Sequence, residues 1–252
     1  MELRVKDKSV INGQDLEFKE LNQLIRDNID AGRKFFKLIG INGQRYLGSG
    51  LGGEIEMEID GLPGNDLAAF ADGIKIRVNG NVQDCVGNTM NAGRIIVDGH
   101  AGDLPGYSQR GGSIYINGNA GYRAGIHMKG FKARQPLLVI GGRAGDFTGE
   151  YMAGGRIVIL GLGLEKMDPG LIGDHLAPGM HGGEIFIRGE LNPGDLGPEI
   201  KLAELEQTDL DFLEREIENF KDYFDYKGLE LALNRFSKII PDSNRPYGNM
   251  YV

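Results

Sequence analysis

In the central part of the chain, apolar residues alternate with polar ones in short runs, and each run ends at a glycine. Alternate residues of a β-strand point to the same face, so this period of two predicts strands with one buried face. The strand-ending glycines are Gly61, Gly80, Gly99, Gly118, Gly142, Gly161 and Gly189. Two residues before them stand Ile59, Val78, Val97, Ile116, Ile140, Ile159 and Ile187, and four before stand Met57, Ile76, Ile95, Ile114, Leu138, Ile157 and Ile185. Both columns are entirely apolar, and we expect them to line one interior wall.

The strands recur at the spacing of a solenoid. Three similar glycine-bounded phrases begin at Gly80, Gly99 and Gly118, which are 19 residues apart each time, and a fixed period of this size indicates stacked repeats. A coil of about 20 residues at ~3.3 Å per residue is long enough for a closed turn, and coils stack at ~4.8 Å. The predicted fold class is therefore an all-β solenoid, a single-stranded parallel β-helix of about seven coils.

Both ends of the chain carry apolar residues at helical spacing. The segment Asp15–Ala31 predicts one amphipathic helix, Asp209–Phe224 a second, and Leu229–Ile239 a third that is stopped by Pro241. The predicted organisation is an N-terminal strand-helix-strand cap (residues 1–41), the glycine-rich β-helix (42–197) and a C-terminal helical tail (198–252). We expect the two end segments to cover the strand edges, which would otherwise invite aggregation.

Two segments, Lys129–Gln135 and Leu164–Leu171, interrupt the regular spacing, and Leu62–Phe70 forms a further loop candidate near the start. Insertions in solenoids form loops, so these segments are predicted to be sites where a partner or ligand makes contact.

A third column of the repeat points outward and changes from charged to apolar along the solenoid. Its members stand three residues before the strand-ending glycines. We call the last five members the outward strip: Ile96, Tyr115, Val139, Val158 and Phe186. An apolar run of this length must be covered. Two alternatives are open: the C-terminal helices lie over it, or it is an interface for another subunit.

Composition narrows the classes of function. Glycine accounts for 41 of 252 residues without a Gly-X-Y period, which excludes collagen, and 40% hydrophobic content is enough for a core. The net charge of -8 and the lack of a basic cluster argue against nucleic-acid and anionic-membrane surfaces. No apolar run approaches the ~20 residues of a membrane span, and the first residues lack a signal-peptide core. The sequence indicates a soluble cytoplasmic protein.

The candidates for catalysis are weak individually. Gly48–Gly53 fits GxGxxG, but the strand-like segment after it offers no helix N-terminus for a pyrophosphate. A single cysteine, Cys85, is predicted to be a small, partly buried side chain. The histidines lack metal-site spacing and are expected in turns: His100, His127, His175 and His181. We predict no catalytic, cofactor-binding or metal-binding residue in this chain.

Asp84, Asp103 and Asp146 share one repeat position, and Tyr122 interrupts the series. Stacked carboxylates can bind a cation or serve as glycosidase acids. Aspartates in turns also commonly bond to the backbone, and this structural interpretation is favoured.

The glycine phrases resemble a known family. The segments GNVQDCVG (Gly80–Gly87), EYMAGGRIVILG (Glu150–Gly161) and GMHGG (Gly179–Gly183) are similar to the GxGxG domain that ends the large chain of glutamate synthase. Asn42–Leu51 (NGQRYLGSGL) resembles the entry to that domain. The resemblance covers roughly residues 40–190, and the two ends resemble stand-alone versions. It implies a right-handed parallel β-helix.

The resemblance also implies a function. In that family the glutaminase cysteine belongs to an amidotransferase domain, and FMN and the iron–sulfur cluster belong to a barrel domain, none of which is present here. The implied role is a non-catalytic scaffold that holds amidotransferase-like and FMN-binding synthase subunits together for glutamine-dependent formation of glutamate from 2-oxoglutarate. A homo-oligomer is left open. The alternatives are a scaffold subunit of a formylmethanofuran dehydrogenase-type complex, which resembles the same repeats, and a free-standing carbohydrate-active β-helix enzyme that would use the aspartate column.

Overall fold

The computed structural model describes residues 9–130, 133–163 and 171–243, which form one eleven-stranded sheet and two α-helices. The strands are β1 (Ser9–Asn12), β2 (Phe35–Asn42), β3 (Glu56–Leu62), β4 (Asp72–Asn79), β5 (Ala92–Val97), β6 (Ser113–Ile116), β7 (Leu137–Ile140), β8 (Ala153–Ile159), β9 (Gly182–Arg188), β10 (Ile200–Ala203) and β11 (Phe236–Pro241). The helices are α1 (Phe18–Asp30) and α2 (Gln207–Phe224), with short 3₁₀ turns at Pro193–Asp195 and Leu233–Arg235.

Strands β1 to β9 pair in parallel and in chain order, one strand per coil. A second, shorter ladder of parallel bridges joins the coils at another side, through Val82, Ala101, Ala120, Ala144 and Ile172. Two parallel ladders along one series of stacked coils define a parallel β-helix. The predicted fold class is confirmed.

The two apolar columns line the interior as predicted. Ile95 pairs with Ile114, and Ile114 pairs with Leu138, so like residues stack from coil to coil. Every member of both columns is at most 2% exposed. Each buried aliphatic side chain contributes about 1.5–3 kcal/mol of transfer free energy, so these columns supply much of the driving force for coil formation.

The N-terminal segment closes one end of the β-helix. Helix α1 confirms the prediction for Asp15–Ala31, and its Leu21 and Ile25 are buried in the same apolar core as Phe36 of β2. Strand β1 pairs in parallel with β2. The first coil is therefore covered by a strand at its edge and by the apolar face of a helix.

The C-terminal segment differs from the prediction in one element. Helix α2 confirms the helix predicted at Asp209–Phe224, but the helix predicted at Leu229–Ile239 is wrong, because this segment contains a 3₁₀ turn and strand β11. Strand β11 pairs antiparallel with β9, and β10 pairs antiparallel with β11. The free edge of β9 offers a row of backbone hydrogen bonds that a helix would leave unmade, which explains why tertiary pairing overrides the helical spacing.

The three predicted loop segments differ in structure. Leu62–Phe70 forms a corner in which Leu67 and Ala68 are buried and Phe70 is exposed. Gly130 and Gln135 of the second segment line a groove described below. Most of Leu164–Leu171 lies outside the described residues.

Candidate functional site

The outward strip lies beneath helix α2. Tyr115, Val139, Val158 and Phe186 are each at most 2% exposed, and Ile96 is 5% exposed. The first four form one apolar cluster with residues of α2, which are Phe212, Leu213, Ile217 and Phe220. Of the two alternatives, cover by the chain's own helix is the one that the structure favours. These five residues are buried in this structure, so none of them presents a free apolar face.

A polar contact fixes the helix over the strip. The Tyr115 hydroxyl donates to Oε2 of the buried Glu216 at 2.6 Å, Asn219 Nδ2 donates to the same oxygen at 3.0 Å, and Arg215 Nε donates to Oε1 at 2.8 Å. Burial raises the pKa of Tyr115 far above its usual range, and the Glu216 carboxylate adds to this effect. The phenol is therefore a neutral donor that orients α2 on the sheet.

The aspartate column is a structural ladder between coils. Asp84 Oδ1 accepts the backbone N–H of Asp103, and Asp103 Oδ1 accepts that of Tyr122, both at 2.9 Å. Asp146 Oδ1 accepts the N–H of Asp174 at 2.9 Å. In the described ranges, no group of three or more His, Cys, Asp or Glu side chains could hold a metal ion. The carboxylates thus stabilise the next coil, which removes the observation behind a carbohydrate-active enzyme.

We expect Asp84→Ala to lower the free energy of unfolding by about 1–3 kcal/mol, because the partly buried Asp103 N–H loses a charged acceptor. Asp84→Asn keeps an acceptor oxygen at that position and should lose about half as much or less. Urea titrations followed by circular dichroism measure both values. Equal losses for the two variants would contradict the ladder, since they would show that the negative charge matters and the hydrogen bond does not.

The surroundings of the remaining candidates for catalysis favour structural roles. Burial, together with Asp66, Asp84 and Asp103, raises the pKa of the Cys85 thiol to about 11, so the nucleophilic thiolate is scarce at neutral pH. Gly48–Gly53 is followed by strand β3, as the sequence predicts, and no helix receives a phosphate there.

The four histidines lie in turns between strands, as predicted. His100 Nδ1 accepts the N–H of Asn119 at 2.8 Å in a second coil-to-coil ladder. His127 stacks on Tyr151, and His175 stacks on Phe147. His181 Nδ1 lies 3.1 Å from the carbonyl oxygen of Gly179. These contacts are those expected of histidines that support the coils.

One corner of the β-helix holds non-glycine residues in the left-handed backbone region. Two such positions recur along the corner. The first is occupied by Asp66, Cys85, Leu104, Arg123, Phe147 and His175, and the second by Phe70, Thr89, Ser108, His127 and Tyr151. Their N–H groups bond to carbonyls of the next coil, for example Phe147 to Asp174 at 3.0 Å and Tyr151 to Pro178 at 2.9 Å. The sequence did not signal this feature, because the residue type at each of the two positions changes from coil to coil.

The same corner exposes aromatic rings. Tyr46, Phe70, Tyr122 and Tyr151 are 41%, 59%, 52% and 44% exposed, and we call these four residues the aromatic corner. The Tyr151 ring lies 5.3 Å from the His127 ring at 11°, so part of the surface is pre-ordered by stacking. Exposed aromatic residues on a rigid backbone are typical of protein interfaces.

A groove lies between the middle of α2 and the sheet. Its volume is about 830 Å³. The sheet contributes Arg94, Ser113, Tyr115, Leu137, Arg156 and Glu184, and the helix contributes Phe212, Arg215, Glu216 and Asn219. Five glycines also line it: Gly112, Gly130, Gly154, Gly155 and Gly183. The groove combines charged groups with an apolar floor, and sequence reasoning missed it because its residues come from five coils and a distant helix.

Across the parts of the chain that the structure describes, no helix is both long and apolar enough to cross a membrane.

Comparison with known proteins gives two findings. The family described as the GXGXG motif matches residues 36–245, which is most of the chain. A protein of Methanocaldococcus jannaschii, the uncharacterized protein MJ1350, is 40% identical over 253 residues, and the alignment covers 96% of each chain. That name assigns no activity, so the family match carries the functional information.

Proposed function

This chain belongs to the GXGXG motif family, whose domain is of the glutamate synthase type, and from this premise we propose that it is a scaffold subunit of a glutamate synthase-type assembly. In this role it holds a glutamine amidotransferase-like subunit and an FMN-binding synthase subunit in fixed relative positions. FMN and an iron–sulfur cluster then reside on the synthase partner. The assembly forms glutamate from 2-oxoglutarate and glutamine.

One observation supports a scaffold over an enzyme: the repeated polar side chains are engaged in bonds between coils. The carboxylates of Asp84, Asp103 and Asp146 accept backbone N–H groups of the following coil. Asn81, His100 and Asn119 do the same at a neighbouring position. Polar groups that are used in this way make the β-helix rigid, and a rigid body with regularly spaced surface residues suits the positioning of other subunits.

The aromatic corner is the proposed contact surface for these subunits. Tyr46, Phe70, Tyr122 and Tyr151 bring large rings to one side of the solenoid, and the backbone of three of them is in the left-handed region. Aromatic side chains have only two rotatable bonds and lose little conformational entropy on binding, and they are common among the residues that dominate binding energy.

Reconstitution tests the assembly. The chain is mixed with the FMN-binding synthase and the amidotransferase encoded in the same genome, and the complex is sized by chromatography with light scattering. Glutamine-dependent glutamate formation is then measured with and without the chain. We expect a stable complex and a rate that depends on the chain. The proposal would be refuted if the three proteins failed to associate, or if the rate of glutamate formation were the same without the chain. Stable assembly with molybdenum or tungsten enzyme subunits instead would favour the formylmethanofuran dehydrogenase-type alternative.

Matched variants locate the contact surface. Phe70→Asn and Tyr151→Asn remove exposed rings, while asparagine tolerates the left-handed backbone at both positions. Each should weaken association about tenfold or more, the range of an interface hot spot. Val10→Asn, at another exposed apolar residue, is the control and should leave association unchanged. Equal effects of the three variants would place the contact elsewhere.

A further inference from the structure

The groove between α2 and the sheet contains a buried guanidinium nitrogen without an acceptor, Arg94 Nε. Arg94 Nε is buried, and no hydrogen-bond acceptor within the described residues bonds to it. The guanidinium carbon lies 5.2 Å from the ring centroid of Tyr223, so one face of the group rests on an aromatic ring. A buried guanidinium nitrogen without an acceptor is costly, because it has given up its water without a replacement.

The other charged groups of the groove are paired with one another. Arg156 Nε donates to Glu184 Oε2 at 2.7 Å, and Arg215 Nε donates to Glu216 Oε1 at 2.8 Å. Two arginines and two carboxylates therefore balance, and Arg94 is left as the surplus positive charge. In a chain with a net charge of -8, this places one unbalanced cation inside a partly covered groove.

The register of the sheet defines the shape of the site. Arg94, Ser113, Leu137 and Arg156 occupy one row across β5, β6, β7 and β8. At ~4.8 Å per strand, the two arginines are about 14 Å apart, with the serine and the leucine between them. Phe212 lies beside Arg156, whose guanidinium carbon is 4.2 Å from its ring centroid. A volume of about 830 Å³ is in the range of small-molecule sites.

We propose that this groove binds a small organic carboxylate, with the carboxylate group on Arg94 and the remainder of the molecule over Ser113 and Leu137. The planar guanidinium matches a carboxylate in a two-pronged contact. A single negative charge balances the surplus at Arg94, whereas a doubly charged phosphate would overcompensate it beside Glu184 and Glu216. The site lies under α2, on another side of the coil from the aromatic corner, and it does not depend on the proposed assembly.

Titration of the full chain tests the proposal. The ¹⁵N-labelled protein is titrated with sodium acetate, sodium propionate and sodium phosphate at constant ionic strength, and NMR shifts are followed. We expect saturable shifts for the two monocarboxylates, confined to the Arg94 Nε signal, the amides of β5 to β9 and the middle of α2. Unsaturable shifts, shifts elsewhere in the chain, or preferential binding of phosphate would overturn the proposal.

Three variants test whether carboxylate binding needs the planar guanidinium of Arg94 or only a positive charge. Arg94→Met should weaken carboxylate binding about 10- to 100-fold, the range of a charge-assisted hydrogen bond. Arg94→Lys keeps the charge without the planar fork and should give an intermediate loss. Arg110→Met removes an exposed arginine and should bind like the parent protein. Equal binding by Arg94→Met would overturn the proposal, and the Arg94 Nε signal of the unaltered protein provides the same decision if that variant does not fold.

Discussion

Gly93→Ala is expected to cost about 3 kcal/mol or more of unfolding free energy, or to prevent folding altogether. Gly93 lies in β5 at the point where the register with β4 shifts, and its φ is +110°. An added Cβ would stand 2.2 Å from the carbonyl oxygen of Ile74 and 3.0 Å from the carbonyl carbon of Gly73. Both neighbours are backbone atoms of the adjacent coil, so relief requires that two coils move apart. The penalty combines the ~1–2 kcal/mol of a strained backbone with the cost of overpacking.

Two further glycines serve as graded controls. Gly50 has a φ of +66° with no atom within 4 Å of an added Cβ, so Gly50→Ala should cost only the backbone term of about 1–2 kcal/mol. Gly194 has neither a positive φ nor a close atom, so Gly194→Ala should stay within about 0.5 kcal/mol. Urea unfolding followed by circular dichroism measures the series. A loss for Gly93→Ala no larger than that for Gly50→Ala would contradict the clash between coils.

Lys238→Met is expected to cost about 3–5 kcal/mol, because it leaves two carboxylates without their shared cation. Lys238 Nζ lies 2.8 Å from Asp209 Oδ2 and 2.9 Å from Glu184 Oε1, and Lys238 and Asp209 are 8% and 1% exposed. The three residues belong to β11, α2 and β9. The Lys238 ammonium group therefore joins strand β11 and helix α2 to β9, the last strand of the parallel ladder.

The pH dependence of this variant follows from the lysine. Burial lowers the pKa of Lys238, but hydrogen bonds to Asp209 and Glu184 and their charges outweigh burial, so the pKa is raised above its usual value. Because the pKa of this basic group is raised in the folded state, its contribution to the free energy of unfolding is fully present below the unfolded-state pKa of ~10.4. That contribution is lost only as the pH rises through the folded-state pKa. The loss in Lys238→Met should therefore be the same at pH 7 and pH 9.

Lys201→Met is the matched control for this prediction. Lys201 lies in the neighbouring strand β10 and pairs with Asp242 at 3.3 Å, but the two side chains are 51% and 59% exposed. An exposed pair contributes about 1 kcal/mol or less. Unfolding free energies from urea titration compare the two variants. If Lys238→Met lost no more unfolding free energy than Lys201→Met, the buried ion pairs of Lys238 would not be what holds α2 and β11 on the β-helix.

Much of the β-helix could be predicted from local pattern. The two inward columns were predicted from a period of two, because alternation along a strand fixes which side chains face inward whatever the neighbouring coil contains. Helix α1 and helix α2 were predicted for a similar reason, since each has an apolar face at helical spacing. The prediction failed at Leu229–Ile239, where the apolar residues fit more than one period and the free edge of β9 decided in favour of a strand.

The site was less predictable than the fold. The outward strip was predicted to be buried, but its cover could not be chosen between the chain's own helix and another subunit, because the sequence does not say where α2 packs. The left-handed residues of the aromatic corner gave no signal, since bonds such as that from Tyr151 N–H to the Pro178 carbonyl exist only after the coils stack. The groove around Arg94 gave no signal either, since it forms only when strands from several coils and α2 pack together.

By itself, the sequence determined the repeat, the inward columns, two helices and the family resemblance, all of which depend on residues close together in the chain or on fixed intervals between them. The tertiary structure alone decided how the ends close, what covers the outward strip, and that Arg94, Arg156 and Arg215 border one groove. The physical reason is that these features depend on backbone edges and unbalanced charges, whose partners are set by stacking and packing across the whole β-helix.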